Sequence, residues 1–383
     1  MRVAYVSSYP PRECGIATFT EDLVKAIDEY KILAPGVVVA VNDHGARYDY
    51  DKRVILQIER DSIKSYVDAA YSINNSDIDA VSLQHEFALF GGNGGEYIVT
   101  FLENLHKPIV TTLHTIPYQD SSNRGEILQQ IASLSRSIVV TCSNAANIIK
   151  EEHKIKNTIR IIPHGSPDVP CVIRDEVKAS LGLDNRIIIS TFGFLSSKKG
   201  IEYVINALPS IIKRDSRVTY IVIGETHPEK RKKEGEKYRE FLTALVNKHG
   251  LEKHVILINR YLTTKELIRY LEATDIYVVP YITKDQVSSG TLAYALAAGK
   301  AIISTPFPHA QELLSNGRGL LCEFEDSDSI AKCAIALLED DKLREAMERK
   351  AYDHSRQFLW PEVAKKYIRL LREAVEESIK KED

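Results

Sequence analysis

Short β-branched runs alternate with longer helix-spaced segments along almost the whole chain, and this alternation restricts the fold more than any single motif. In the first half the runs are 2–8, 37–41, 54–58, 80–84, 108–113, 137–142 and 159–163. In the second they are 186–193, 218–224, 254–259, 275–281, 301–305 and 319–324. The runs are continuously apolar, which predicts strands buried on both faces of a parallel sheet wrapped by helices. The stretch PHGSPDVPCVIRDE (163–176) breaks the rhythm and reads as a linker. At 383 residues the chain is too long for one compact core. Two doubly wound α/β domains of Rossmann type are expected, over 1–168 and 169–360, and an amphipathic segment (360–381) closes the chain.

A net charge of -3 gives no clustered basic excess, so nucleic acid is not an expected partner. The five cysteines (Cys14, Cys142, Cys171, Cys322, Cys333) are scattered without CxxC or neighbouring His, which disfavours a disulfide framework or zinc site. MRVAYVSS reads directly as a strand, and no apolar run approaches the roughly 20 residues of a membrane span. A cytoplasmic globular protein is expected, with peripheral membrane contact left open.

In doubly wound sheets ligands sit beyond the carboxyl ends of the strands, and between two such domains the cleft is the default site. After the first run, SSYPPRECGIATFTEDL puts Gly15 before a helix starting near Ile16, where free N–H groups suit an anion; a structural turn is the simpler explanation. There is no GxGxxG, and VVVAVNDHG lacks a clear acidic ribose ligand, which disfavours a dehydrogenase. LQHEFALFGGNGGEY follows His85 and Glu86 with four glycines: backbone close to a ligand, or a mobile surface loop with a solvated His and Glu. TTLHTIPY sets His114 at a strand terminus, as a hydrogen-bonded structural residue or as a group serving a reacting ligand.

FGFLSSKKGIEYVI places Lys198 and Lys199 at a strand-to-helix turn, where a cation opposes the helix dipole and calls for an anion unless both are solvated. Glu225, Thr226 and His227 end the next run, before a mixed-charge segment (230–240) expected to be a solvated helix face. Arg260 and Tyr261 stand at the tip of INRYLTTKEL. In DQVSSGTLAYALAAGKAIIST (285–305), Ser288 and Ser289 open a short apolar helix and Gly299 ends it.

YPPRECGIATFTEDL, LQHEFALFGGNGG, LHTIPY, FGFLSSKKG, GETHP, NRYL, DQVSSGTLAYALAAGKAIIST, HAQELL and GRGLL occur in this order across nearly the whole chain. Together they resemble glycosyltransferase family 4, retaining enzymes of GT-B fold, and most closely its mannosyltransferase-like branch. The resemblance implies two Rossmann-like domains facing across a cleft. The N-terminal one would bind the acceptor and the C-terminal one the nucleotide sugar, with a last helix (361–383) crossing back to the first. It sets Gly15 against the donor pyrophosphate, His114 beside the transferred sugar and Lys199 on the diphosphate. Arg260 and Tyr261 fall at the nucleotide base, and Ser289, Gly290 and Thr291 at a helix start whose amides meet the distal phosphate. Glu225 is carried as a further donor contact, and His85 and Glu86 as acceptor contacts. Two departures stand out. Phe194 and Ser196 occupy the stretch where the family commonly has an arginine before the lysine. Gln286 and Tyr294 stand where it often has two glutamates; Gln286 is expected to touch sugar hydroxyls, whereas Tyr294 offers the ribose only a hydroxyl. The mannosyltransferase-like branch carries this Gln and Tyr pattern.

The implied reaction transfers a hexosyl unit from a nucleoside diphosphate sugar to an acceptor hydroxyl with retention. GDP-mannose is favoured over UDP-hexoses, and the acceptor is a carbohydrate or lipid-linked sugar. No carboxylate stands out as a nucleophile, which favours front-face displacement. No metal or organic cofactor is expected, and the DxD-like triplets at 49–51, 77–79 and 326–328 read as caps or surface. The alternatives are a nucleotide-sugar epimerase of the same fold and a catalytically inactive glycan- or partner-binding protein.

Overall fold

A computed structural model describes residues 1–117, 123–170 and 172–382, so Cys171 lies outside the described residues. The chain forms two compact units, Met1–Gly165 with Trp360–Asp383, and Ser166–Leu359.

The first unit holds a seven-stranded sheet of β1 (Val3–Ser7), β2 (Val37–Asn42), β3 (Val54–Glu59), β4 (Ala80–His85), β5 (Ile109–Leu113), β6 (Ser137–Val140) and β7 (Thr158–Ile161). Its order is β3-β2-β1-β4-β5-β6-β7, with every pairing parallel. Strands β1, β2, β4, β5 and β6 are buried throughout, as continuous apolar runs should be. The expectation fails at the edges, where β3 and β7 leave Ile55 and Ile161 exposed. An edge strand has one neighbour instead of two, so apolar composition alone does not report burial on both faces.

The helix Gly15–Glu29 packs Phe19, Leu23 and Ile27 into a core shared with Val363, Tyr367 and Leu371 of the helix Trp360–Glu382. The Tyr367 hydroxyl reaches Thr112 of β5 at 2.9 Å. Gly165 lies flat against the Trp360 indole, so closely that a Cβ there would collide with the ring. The C-terminal helix is therefore part of the first unit's core, although it is last in sequence.

The second unit holds six parallel strands, β8 (Ile187–Phe192), β9 (Val218–Ile223), β10 (Val255–Ile258), β11 (Ile276–Val279), β12 (Ala301–Ser304) and β13 (Leu320–Leu321), in the order β10-β9-β8-β11-β12-β13. The last strand is much shorter than the expected 319–324. Cys322 N–H makes one more bond to Ser304 at 2.9 Å, and the chain then turns through Glu325 (φ 56) into a helix capped by Asp326. Both sheets reverse direction of growth at their first strand, between β1 and β4 and between β8 and β11. Such switch points open a crevice at the carboxyl ends of the strands.

The Gly165→Ala substitution is expected to lower stability by about 1–3 kcal/mol, because the added methyl overpacks the Trp360 contact. Chemical denaturation followed by Trp360 fluorescence checks this, since the chain has one Trp.

Candidate functional site

At the carboxyl end of the second sheet, two close backbone approaches shape the loops. Gly224 (φ +139) runs so near the Gly193 carbonyl that a side chain there would collide with it. The loops after β8 and β9 then travel together, with Leu195 N–H donating to Glu225 O at 2.8 Å and His227 N–H to Leu195 O at 3.1 Å. Gly200 (φ +63) likewise leaves no room for a Cβ beside the Pro280 carbonyl. Its left-handed conformation ends the single turn Ser197–Lys199, and Ile282 N–H bonds Lys198 O at 3.1 Å. The result sets the half-buried Lys199 with Nζ 3.9 Å from the centre of the Tyr281 ring, a cation–π contact at the β8/β11 switch point.

Tyr281 carries the link onward. Its hydroxyl lies 2.8 Å from Thr291 Oγ1, which is 3.2 Å from Ser289 Oγ. Burial acts to raise the Tyr281 phenol. The Lys199 charge and hydrogen bonds from Lys199, Thr291 and Ser289 outweigh it and bring the phenol below its ordinary value. Ser289 caps the helix Gly290–Ala297 by accepting from Leu292 N–H at 3.3 Å, while its own N–H donates to His309 Nδ1 at 2.9 Å. This corrects the expectation that Ser289 offers its amide to a phosphate. Gly290 and Thr291, at the first positions of the helix, are where N–H groups have no intrahelical acceptor. Gly299 closes the same helix, its N–H on Leu296 O at 2.9 Å and Lys300 N–H on Ala295 O at 3.1 Å.

Around β9 and β10, Phe194 stacks on Tyr261 (5.5 Å between centroids, 29°) and meets His227 edge-on at 5.3 Å. Phe194 therefore builds an aromatic face where an arginine was the family expectation. Glu225 Oε2 is 3.4 Å from Arg231, and its Oε1 is buried without a partner among the described residues. Arg260 is exposed and held at 2.7 Å by Glu266, the same carboxylate that completes the Thr263 capping box. Gln286 donates its amide to Ser288 O. Tyr294 is only 8% exposed and lies in a core with Leu292, Leu296 and Ile302, near Phe192.

In the first unit, Gly15 opens its helix with open space where a Cβ would stand, and the N-cap residue Cys14 makes no side-chain capping bond. His114 is buried, with Nε2 3.1 Å from Gln84 Oε1 and its ring edge-on to Phe19 at 4.7 Å. Burial, and then the neighbouring His164 and His85, push its pKa down to about 3. His85 is 0% exposed between Phe87 and Phe90, and neither ring nitrogen has a partner among the described residues. Burial alone lowers it to about 3. A solvated His85 is thus overturned. Glu86 accepts from the Thr115 hydroxyl, and burial raises its carboxyl pKa. The following glycines are packed rather than loose, since a Cβ at Gly91 would strike the Arg60 carbonyl.

Side by side in the second unit are Lys199, Ser289, Gly290 and Thr291, with Glu225 joined to them through the paired loops. Arg260 and Tyr261 form a separate, exposed edge. Tyr281, His309, Phe194 and Gln84 were not singled out from the sequence as ligand groups. Tyr281 had a legible signal, an aromatic residue directly after the β11 proline, but it looked like strand core.

Residues 173–354 match the family described as glycosyl transferases group 1. The phosphatidyl-myo-inositol mannosyltransferase of Mycolicibacterium smegmatis is 22% identical over 189 residues, covering 49% of this chain and 45% of that protein. The chain spans about half the length of this and other sequence relatives it matches. Sucrose-phosphate synthase from Thermosynechococcus elongatus superposes with a TM-score of 0.80 at 15% identity, over 97% of this chain and 98% of that one. The Anabaena protein HepE, solved in complex with UDP, superposes with a TM-score of 0.75 at 15% identity, over 97% and 100%. Over residues 173–354 the chain is thus similar to the group 1 glycosyl transferases, and it has the fold of the GT-B glycosyltransferases on which it superposes.

Proposed function

We propose that this chain transfers a hexosyl unit, mannosyl before others, from a nucleoside diphosphate sugar to a hydroxyl of a carbohydrate or lipid-linked sugar, with retention of configuration. The observation that carries the reading is Lys199 fixed over Tyr281 beside the open start of the helix Gly290–Ala297. A cation and two helix-end amides converging on one place suit a diphosphate leaving group. HepE is a structural neighbour solved with UDP, which supports a nucleotide-sugar donor. The mannosyltransferase relative supports a mannosyl unit, for which GDP-mannose is the proposed donor ahead of UDP-hexoses.

In this mechanism the bond from the anomeric carbon to the diphosphate breaks as charge builds on the leaving oxygen. Lys199 and the Gly290 and Thr291 amides stabilise that charge in place, with no metal assigned. The acceptor oxygen forms its bond to the anomeric carbon on the same face, and its proton passes to the departing phosphate. The resemblance also assigns the Gly15 amide to donor pyrophosphate. His114 stays neutral, its Nε2–H given to Gln84 Oε1, which leaves Nδ1 to accept a hydrogen bond from a sugar hydroxyl. Arg260, Tyr261 and Phe194 would face the base, Glu225 and Gln286 would add donor contacts, and His85 and Glu86 would back the acceptor side. Two observations favour the inactive-binder alternative: Tyr294 is packed into the core, and Gln286 already donates to the Ser288 carbonyl.

Transfer assays on Lys199→Ala are expected to show about a 10²–10³-fold loss in kcat with the melting temperature near wild type. Near-normal turnover would remove the lysine from the mechanism, and binding without turnover in the wild type would support the inactive binder. His114→Ala should reduce kcat more than donor affinity. Because burial holds His114 neutral down to about pH 3, its protonation should add no acid limb to the wild-type kcat profile between pH 5 and 7. A limb near pH 6.5 that disappears in His114→Ala would contradict this.

A further inference from the structure

The end of the second unit opposite the proposed donor site holds a cavity of about 410 Å³, walled in part by Arg174, Glu272, Gly299, Lys300, Glu348 and Arg349. Lys300 is 4% exposed, and among the described residues its Nζ bonds only the carbonyls of Glu272 (3.3 Å) and Thr274 (3.2 Å), the last turn and cap of the helix Thr264–Ala273. These bonds are long for an ammonium, and one of its three N–H groups has no recorded acceptor. Beside it, Arg174 Nη1 and Nη2 are taken by Asp275 (3.1 Å) and Glu348 (2.8 Å), while Nε is buried with no acceptor among the described residues. Lys178 shares Asp275 at 2.7 Å. Three cations (Arg174, Lys178, Lys300) thus stand on two carboxylates (Asp275, Glu348). Glu272 is drawn away by Arg269 at 3.3 Å. At the mouth Arg349 and Glu345 are both exposed and offset each other in sign. Buried donors outnumber acceptors, and a buried group left unmatched costs about 1–3 kcal/mol.

We infer that this cavity is an anion site, independent of the donor reading, that takes the phosphate group of a small molecule against Lys300, Arg174 and Arg349. The volume exceeds what a phosphate alone occupies, which leaves room for a small organic portion. The alternative role of Lys300, capping a helix end, accounts for its two carbonyl bonds but not for the buried Arg174 N–H or the open volume beside it.

The site carries a signature that a surface phosphate contact would lack. Burial first, and then Arg174, lower the Lys300 pKa to about 7, against the opposing pull of Glu348, Asp275 and Glu272. An anion added next to it raises that pKa, so binding near pH 7 takes up a fraction of a proton, and affinity falls as pH rises above about 7. Titration calorimetry of inorganic phosphate and, separately, of glycerol 3-phosphate, in two buffers of different ionisation enthalpy at pH 7.5, reads this uptake. Using the Lys199→Ala protein weakens phosphate binding at the proposed donor site, and the Arg349→Ala and Lys300→Arg changes, made in that background, report on this cavity alone. We expect saturable binding with proton uptake, weakened about tenfold or more by Arg349→Ala, which lies on an exposed helix surface and leaves the fold intact. Lys300→Arg should bind without taking up a proton. Tighter binding of the ester assigns an organic phosphate, and equal or tighter binding of the inorganic ion assigns free phosphate. No saturable binding, or binding with the same affinity and proton uptake in both variants, would overturn the assignment.

Discussion

The passage of Gly200 against the Pro280 carbonyl is the constraint on which the candidate donor site depends. A positive φ and the absence of a Cβ let the turn after β8 lie on the end of β11. Only then does Lys199 reach the Tyr281 ring, and only through Tyr281 is the lysine connected to Thr291 and Ser289 at the start of the next helix. A lysine on a free loop would lose rotamer entropy each time it met an anion. Here much of that ordering is complete before a ligand arrives, which is how a preorganised site gains affinity and rate.

Three buried histidines of the first unit are treated in the opposite way. His85, His114 and His164 are all kept neutral by burial, and their neighbours are Phe19, Phe87, Phe90 and Trp360. The second unit sets Lys199 beside a helix start, whereas these three histidines of the first unit are neutral hydrogen-bonding groups in an apolar frame. A reaction that builds positive charge on a sugar and negative charge on a diphosphate suits this division. A protonated histidine beside the sugar would oppose the developing cation.

The architecture was legible because both sheets are parallel and mostly buried, so each strand announced itself as an apolar run. Failures fell where neighbours, not composition, decide the outcome. The edge strands β3 and β7 carry the same residue types as their buried partners, and β13 is cut short by the turn at Glu325. Lys199 and the Ser289–Thr291 start could be found in sequence because each lies in a strand-to-helix connection marked by Ser and Gly. The His309 contact to Ser289 N–H joins positions twenty residues apart, and Tyr281 joins the turn after β8 to the far end of its own loop, so neither has a local pattern. His85 reads as a polar residue before a glycine loop, and nothing local signals that two phenylalanines enclose it.

The central claim is that the second unit recognises the distal phosphate of a nucleotide, and calorimetric comparison of a nucleoside diphosphate with its monophosphate tests it most directly. Lys199 and the Gly290 and Thr291 amides should favour GDP over GMP, or UDP over UMP, by about tenfold or more, the scale of one charge-assisted hydrogen bond. Equal affinity for the diphosphate and the monophosphate would contradict the account.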